Sequence, residues 1–386
     1  MRRGIATFGL DYGRCPPWLF ERMVKLARSI AILMVENLGV EVFLERLSDP
    51  VWFQSFGTVL AFDWNASGLT TTTLGALKTA LFGLEKDLGI FVSGGKGKTS
   101  RKTPNQILQK AESANLSFLQ AEKLTFLSRL TAKVDSALLQ DNFQIYHHSF
   151  LFTKKGHWAV IQQGMNTDLK KARRYHWYSE KIIDPTLEPH QGIQSEVVLP
   201  KVLNLTSKKS LANRKGIIEI VSEKKTLQSH VKKLIQKTKE GEKQLTLLSL
   251  TNNEFYSHPV LQETFTPRLE KSVQNIIQKE NKNLTDVLMT ENVGPKTIRA
   301  LSLISELVTG ARPSFEDPAR YSFAFGGKDG IPYPVDRKTY DKTLAVIEKA
   351  IKKTPISPYE KDKALKRMEN ATKKSLPPSL SSFLRQ

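Results

Sequence analysis

The 386-residue sequence contains one cysteine, Cys15. A single thiol excludes an internal disulfide framework and any zinc or iron–sulfur site built from the cysteines of one chain. Long apolar runs are missing too. The most apolar stretch, SIAILMV (29–35), is too short to cross a bilayer and runs into Glu36. The opening MRRGIATFGLDYGR is basic but has no apolar signal core. These absences predict a cytoplasmic protein without a membrane partner. Acidic residues are scarce: 38 Asp+Glu face 58 Lys+Arg, a formal charge of +20. Such a surplus favours polyanionic partners, nucleic acid first.

Two signatures are also absent. GGKGKTSRK (94–102) ends like a nucleotide-binding P-loop, in Gly97-Lys98-Thr99, but Val92 stands where the loop needs its first glycine. No nucleotide cofactor is expected, and the stretch reads as a flexible basic loop. Its Lys96, Lys98, Arg101 and Lys102 suit a nucleic-acid backbone. None of the candidate carboxylates Asp11, Asp63, Asp135 and Asp141 lies in the Glu-x-Lys strand pattern common among nucleases.

The pattern that is present predicts an α+β protein: an N-terminal mixed α/β domain over 1–185, a linker or lid over 186–216, and a helical domain over 217–350. A basic tail, 351–386, is expected to be partly disordered. PWLFERMVKLARSIAILMVENLG (17–39) reads as a helix, with Pro17 in its first turn and Gly39 as its stop. GLTTTTLGALKTALFGLEKDLG (68–89) feeds another helix, and GIFVSGG (89–95) a short strand. Thr103-Pro104 opens one continuous helix reaching QAEKL (120–124). FQIYHHSFLFTKKGHWAVIQQGM (143–165) reads as a β-hairpin turning at Lys155-Gly156.

In MTENVGPKTIRAL (289–301) a turn at Val293-Gly294 leads into a helix that opens on Pro295, Lys296 and Thr297. Proline costs little at a first helical position, where its missing N–H has no partner to lose. A lysine at the positive end of a helix is unfavourable unless an anion sits there. The free amides and Lys296 therefore predict a phosphate seat. The stretch resembles the helix-hairpin-helix of DNA-repair proteins, with Asn292 where a first glycine is usual. Asparagine tolerates the left-handed conformation that such a turn needs.

The hairpin is the other candidate site. Strand alternation puts Tyr146 and His148 on one face. With Gln163 on the next strand they could act on a substrate or hold a metal-bound water. Asp135, Asp141 and His148 are the expected ligands of Mg²⁺ or Mn²⁺, with Asp11 and Asp63 as further carboxylates. Arg173 and Arg174 could clamp phosphate. The leading expectation is a DNA-binding, metal-dependent nuclease of repair or recombination, with Tyr146, Asp141, His148 and Gln163 as its catalytic residues. Val335-Asp336 downstream of Gly-Pro-Lys-Thr resembles the helix-hairpin-helix glycosylases of the endonuclease III kind. That resemblance implies an alternative: an abasic-site lyase with Lys296 as Schiff-base nucleophile and Asp336 as its carboxylate. A non-catalytic architectural DNA-binding protein is the third reading.

Five blocks with their spacing give a broader likeness: RRGIATFGLDYGRCPPWLFERMVKLAR, FDWNASGLTTTTLGALK, GIFVSGGKGKTSRKTP, YHHSFLFTKKGHWAVIQQGMN with ARRYHW, and the stretch from VGPKTIRAL to YPVD. They resemble the prokaryotic family of domain of unknown function 763, over most of residues 1–345. The resemblance implies that the blocks belong to one protein type and assigns no activity.

Overall fold

The computed structural model describes residues 15–62, 67–240 and 268–319, with a few isolated positions between 349 and 366. At its centre lies a five-stranded antiparallel sheet of order β1-β3-β4-β5-β6. The strands are β1 (Ile90–Lys96), β3 (Gln144–Thr153), β4 (Trp158–Asn166), β5 (Lys171–Tyr178) and β6 (His190–Ser195). A two-residue strand, β2 (Leu139–Gln140), pairs with β7 (Leu203–Asn204) beside it.

Both faces of the sheet are covered, so the strands bury apolar runs such as FLF (150–152) and WAVI (158–161) together with polar side chains such as Gln162, Arg173 and Gln194. Leu151, Ala159 and Ile161 point to one side. There they join the core of α1 (Pro17–Leu38), α2 (Val40–Ser48), α3 (Pro50–Val59) and α4 (Gly68–Leu81). Phe150, Phe152, Val160, Tyr175 and Trp177 point to the other side. After the single turn α5 (Glu85–Leu88) and the short α6 (Lys98–Arg101), that second side is covered by α7 (Thr103–Ser113) and α8 (Phe118–Lys133). It is completed by α9 (Leu211–Ser222), α10 (Lys224–Glu240), α11 (Arg268–Ile277), α12 (Leu284–Met289) and α13 (Pro295–Thr309). Ile217, Ile298, Leu301 and Ile304 belong to the same core as the sheet's Phe150 and Trp177. Among the described residues, no helix is long and apolar enough to cross a membrane.

Local chemistry explains where elements begin and end. Pro17 opens α1, and Gly39, at φ 89°, ends it. The helix expected to run unbroken from Thr103 is two helices. Asn115 takes the left-handed conformation after α7. Ser117 then starts α8 with a reciprocal capping box to Gln120. The 94–102 stretch is not a free loop either. Lys96 ends β1, Gly97 turns the chain at φ 60°, and Lys98–Arg101 is helical.

Gly94 has a steric reason. Its φ is 91°, and a Cβ there would lie 2.1 Å from the His148 carbonyl oxygen and 2.6 Å from Thr103 Oγ1. Gly94→Ala should destabilise the fold by about 2 kcal/mol or more, read as a lowered urea midpoint; a loss within error would mean that β1 can shift away from β3 freely.

The segment 186–216 differs from the expected linker. It supplies β6, the edge of the sheet, and β7. In the polar run SKKSLANRKG the three lysines are exposed, but Ser210, Asn213 and Arg214 are buried and make internal bonds. Asn213 Nδ2 donates to the carbonyls of Ser302 and Ala311, at 3.0 and 2.8 Å. Arg214 donates to the Thr186 carbonyl at 2.9 Å and to its hydroxyl at 2.6 Å. Gly216 lets α9 approach α13 so closely that a Cβ would meet Ser305 Oγ at 2.3 Å.

Candidate nucleic-acid cleft

A cleft of about 1190 Å³ opens where α8, the ends of β3 and β4, α6 and the start of α13 meet. Its cationic lining is Arg101, Arg129, Lys133, Lys296 and Arg299. Thus one cation of the basic 94–102 stretch and the lysine at the head of α13 share a cavity, although they lie far apart in sequence. Arg101, Arg129 and Lys296 are exposed, while Arg299 is half-buried.

The start of α13 is held from below and open in front. Asn292 has φ 62°, the left-handed conformation that the turn requires. Ser272 Oγ donates to its carbonyl at 2.8 Å. Gln140 Nε2 donates to the Pro295 carbonyl at 3.0 Å, and its Oε1 accepts from Arg299 Nε. No side chain caps α13, and Pro295 and Lys296 are exposed. Val293 and Thr297 are buried, so what they can offer a ligand is backbone rather than side chain.

Lys133 was not singled out by sequence. Its ammonium donates to three carbonyls of the α12–α13 turn: Leu288 at 2.7 Å, Val293 at 3.1 Å and Thr290 at 3.3 Å. These oxygens converge on one cation that α8 supplies, which fixes the turn against α8. Burial pushes the Lys133 pKa down, yet the three acceptors favour the charged form.

The hairpin residues divide between the two faces of the sheet. His148 faces α8, whereas Tyr146 and Gln163 face α4, where Gln163 Nε2 donates to the Ser67 carbonyl at 2.9 Å and contacts the Tyr146 hydroxyl. A β-bulge between Ile145 and His147 inserts Tyr146 as an extra residue and reverses the alternation that would have put it beside His148. His147 lies on the α4 side, bonded to Ser149 Oγ at 2.9 Å, and burial drives its pKa down to about 3.

Asp141 and Asp135 are engaged internally. Asp141 Oδ2 accepts from Arg173 at 2.8 Å and from the Tyr175 hydroxyl at 2.7 Å, while Oδ1 accepts from the Phe143 amide at 3.0 Å. Burial raises the Asp141 pKa against the opposing pull of Arg173. Asp135 accepts from Gln162 and from Trp177 Nε1, and pairs with His190. Among the described residues, no group of three or more His, Cys, Asp or Glu side chains could hold a metal ion. Asp135, Asp141 and His148 therefore do not assemble into the expected ligand set. Asp11, Asp63 and Asp336 lie outside the described residues.

The two arginines of ARRYHWY do not face the cleft. Arg173 grips Asp317 with both terminal nitrogens, at 3.0 and 2.7 Å. Arg174 points the other way, donating to Thr70 Oγ1 at 3.1 Å and Gln54 Oε1 at 2.6 Å and contacting Gln194. Both are fully buried and serve the interior rather than a phosphate. Lys96, Lys98 and Lys102 are exposed beside the cleft's Arg101, with Lys96 Nζ 5.9 Å from the centre of the Tyr146 ring.

His148 lines the cleft and is held at both ring nitrogens: Nε2 lies 2.9 Å from Ser128 Oγ, and Nδ1 lies 2.8 Å from Gln162 Oε1. Ser128 also lines the cleft. Nothing in the helical pattern of FLQAEKLTFLSRL marks that serine, because it sits at an ordinary inward position. No curated protein and no solved structure matches the chain. The family model described as "Protein of unknown function (DUF763)" matches residues 4–335, most of the chain, so the protein belongs to the DUF763 family.

Proposed function

We propose that this protein binds DNA along the cleft and acts on its phosphodiester backbone there. The observation that carries the reading is the meeting of an uncapped helix start, bearing Lys296 and Arg299, with Arg101 and Arg129 around one cavity whose lining includes an imidazole. Backbone amides at a helix start and surplus cations both favour phosphate, and neither needs a particular base sequence. The overall surplus of positive charge supports the same partner.

The test is a panel of end-labelled single-stranded, duplex, branched and abasic oligonucleotides, incubated with Mg²⁺, with Mn²⁺ and with EDTA. Backbone cleavage is the expected result. Loss of cleavage in EDTA assigns it to a metal-dependent nuclease. Binding without any product would leave the architectural role and contradict the enzymatic one. The exposure of Lys296 in the cleft favours a second reading, an abasic-site lyase. Borohydride would then trap a covalent adduct on abasic DNA through Lys296, and Lys296→Ala would abolish it.

A further inference from the structure

His148 belongs to a buried chain of hydrogen bonds that crosses the second face of the sheet. Ser128 Oγ meets His148 Nε2; His148 Nδ1 meets Gln162 Oε1; Gln162 meets Asp135; Asp135 meets His190. Ser128, His148, Gln162 and Asp135 are all buried, yet Ser128, His148 and Asp135 line the cleft. A single stretch supplies three of the parts. Ser128 and the Thr131 carbonyl come from α8, and Asp135 from the π-helical turn, Val134–Leu138, that directly follows. Such wide turns often mark functional positions, because they rotate a side chain off the regular helical track.

The chain fixes the direction of every proton. Gln162 Nε2 has two acceptors, the Thr131 carbonyl at 3.1 Å and Asp135 Oδ2. Its amide group is therefore committed to those partners, and Oε1 faces His148. A carbonyl oxygen can only accept, so the proton of the neutral imidazole sits on Nδ1. Nε2 is left with its lone pair, and the Ser128 hydroxyl must donate to it. Burial favours this neutral imidazole. The outcome is a hydroxyl directed at a base, with the base oriented by a third group.

We propose that Ser128 is a nucleophile and His148 its general base, and that the pair reacts with a phosphorus electrophile in the cleft. The inference rests on the backbone-processing reading for its natural substrate class, a phosphodiester. Ser128 Oγ forms a bond to phosphorus while its proton passes to His148 Nε2. The bond from phosphorus to the sugar oxygen breaks, and that oxygen takes the proton from Nε2. A phosphoseryl ester and a free sugar hydroxyl remain. Water then attacks the ester, gives one proton to Nε2 and releases the serine oxygen, which recovers that proton. Gln162 and Asp135 are positioning residues, since they act only through the imidazole.

The full chain should be treated with a fluorophosphonate probe. Ser128 Oγ would displace fluoride from phosphorus while its proton passes to His148. One adduct is expected per chain, mapped by peptide mass to Ser128. Ser128→Ala should not react. His148→Gln should react at least ~100-fold more slowly, the usual scale of general-base assistance. Gln162→Met should slow labelling while leaving oligonucleotide binding unchanged, which a merely structural role would not do. In parallel, Ser128→Ala should bind a labelled oligonucleotide like the wild type and yield no product.

An adduct elsewhere on the wild-type chain, or none, overturns the proposal whatever the variants do. So does cleavage by Ser128→Ala at the wild-type rate, and in that case the DNA reading survives. Labelling at Ser128 in a protein that binds no oligonucleotide has the opposite meaning: the pair stands and DNA is removed as its substrate.

Discussion

Arg173→Met should lower the free energy of unfolding by about 3–5 kcal/mol in urea near pH 7, the scale for stranding a buried charge. Arg173 is fully buried and serves two carboxylates, Asp317 with both terminal nitrogens and Asp141 with one. It also donates to the Val197 carbonyl at 3.0 Å and lies over the Phe143 ring at 4.5 Å. Methionine keeps most of the volume but leaves Asp141 and Asp317 facing each other without a cation. The site also ties distant parts together, because Asp317 Oδ2 accepts from the Leu199 amide and Oδ1 from the Ala319 amide. The stretch beyond α13 is thereby pinned to the edge of the sheet. Arg173→Lys should recover only part of the loss, since an ammonium cannot reproduce the planar fork. Adding Asp141→Asn and Asp317→Asn to Arg173→Met should restore stability relative to the single variant. A loss below about 1 kcal/mol for Arg173→Met would show that the cluster contributes little net stability.

Stability should also fall by about 3 kcal/mol between roughly pH 7.5 and 5.5 through the buried His147 and His176, with His148 acting in the same direction. Burial lowers the His147 pKa to about 3, with help from His148 and the neighbouring lysines. It lowers His148 against the opposing effects of Gln162 and Asp135. It drives His176 well below its ordinary value, assisted by Arg174. In the unfolded chain each imidazole takes up a proton near the ordinary value of 6.5. The fold's advantage from these groups is therefore complete above that pH and is lost as pH falls toward the depressed folded values. Two protons bound only by the unfolded state, at His147 and His176, give a slope of about 3 kcal/mol per pH unit once that state is protonated, and His148 steepens it. Asp141 and Asp49, whose pKa values are raised by burial, act with the opposite sign as pH falls through their raised folded values. Urea midpoints at the two pH values check this. A flat profile would require these histidines to be hydrated or charged in the fold. Replacing His176 with Gln should remove about 1.4 kcal/mol per pH unit from the slope, the share of one proton.

What the sequence made readable was what a few residues decide locally. Pro17 and Gly39 bracket α1, and Asn292 takes the left-handed turn before a helix that opens on Pro295. The hairpin at 143–165 forms, with Gly156 at φ 82° in its turn. What was not readable depends on partners far along the chain. The bulge at Tyr146 reverses the facing of one residue, and no local composition signals it. Arg173 and Arg174 look like phosphate ligands until Asp317 and Gln54 arrive from distant elements. SKKSLANRKG is polar enough for a linker, yet Asn213 and Arg214 use that polarity inside the protein. Ser128 and Lys133 look like any helical serine and lysine. Their meaning comes from His148 on a strand and from carbonyls of the α12–α13 turn.

Lys133 also links the fold to the proposed binding surface. Removing its ammonium, as in Lys133→Met, takes away the donor that three converging carbonyl oxygens share. The turn before α13 should loosen, and DNA binding should weaken even though this cation is already committed within the protein.

The central claim is that the head of α13 and the cations around it seat backbone phosphates. The most direct test is the dissociation constant of a short duplex measured across salt concentration for the wild type, Lys296→Ala and Arg101→Ala. With three to four phosphates neutralised, the log–log slope should be about −3, and each substitution should reduce it by about 1 on any sequence. A salt-independent affinity, or the wild-type slope in both variants, would contradict the account.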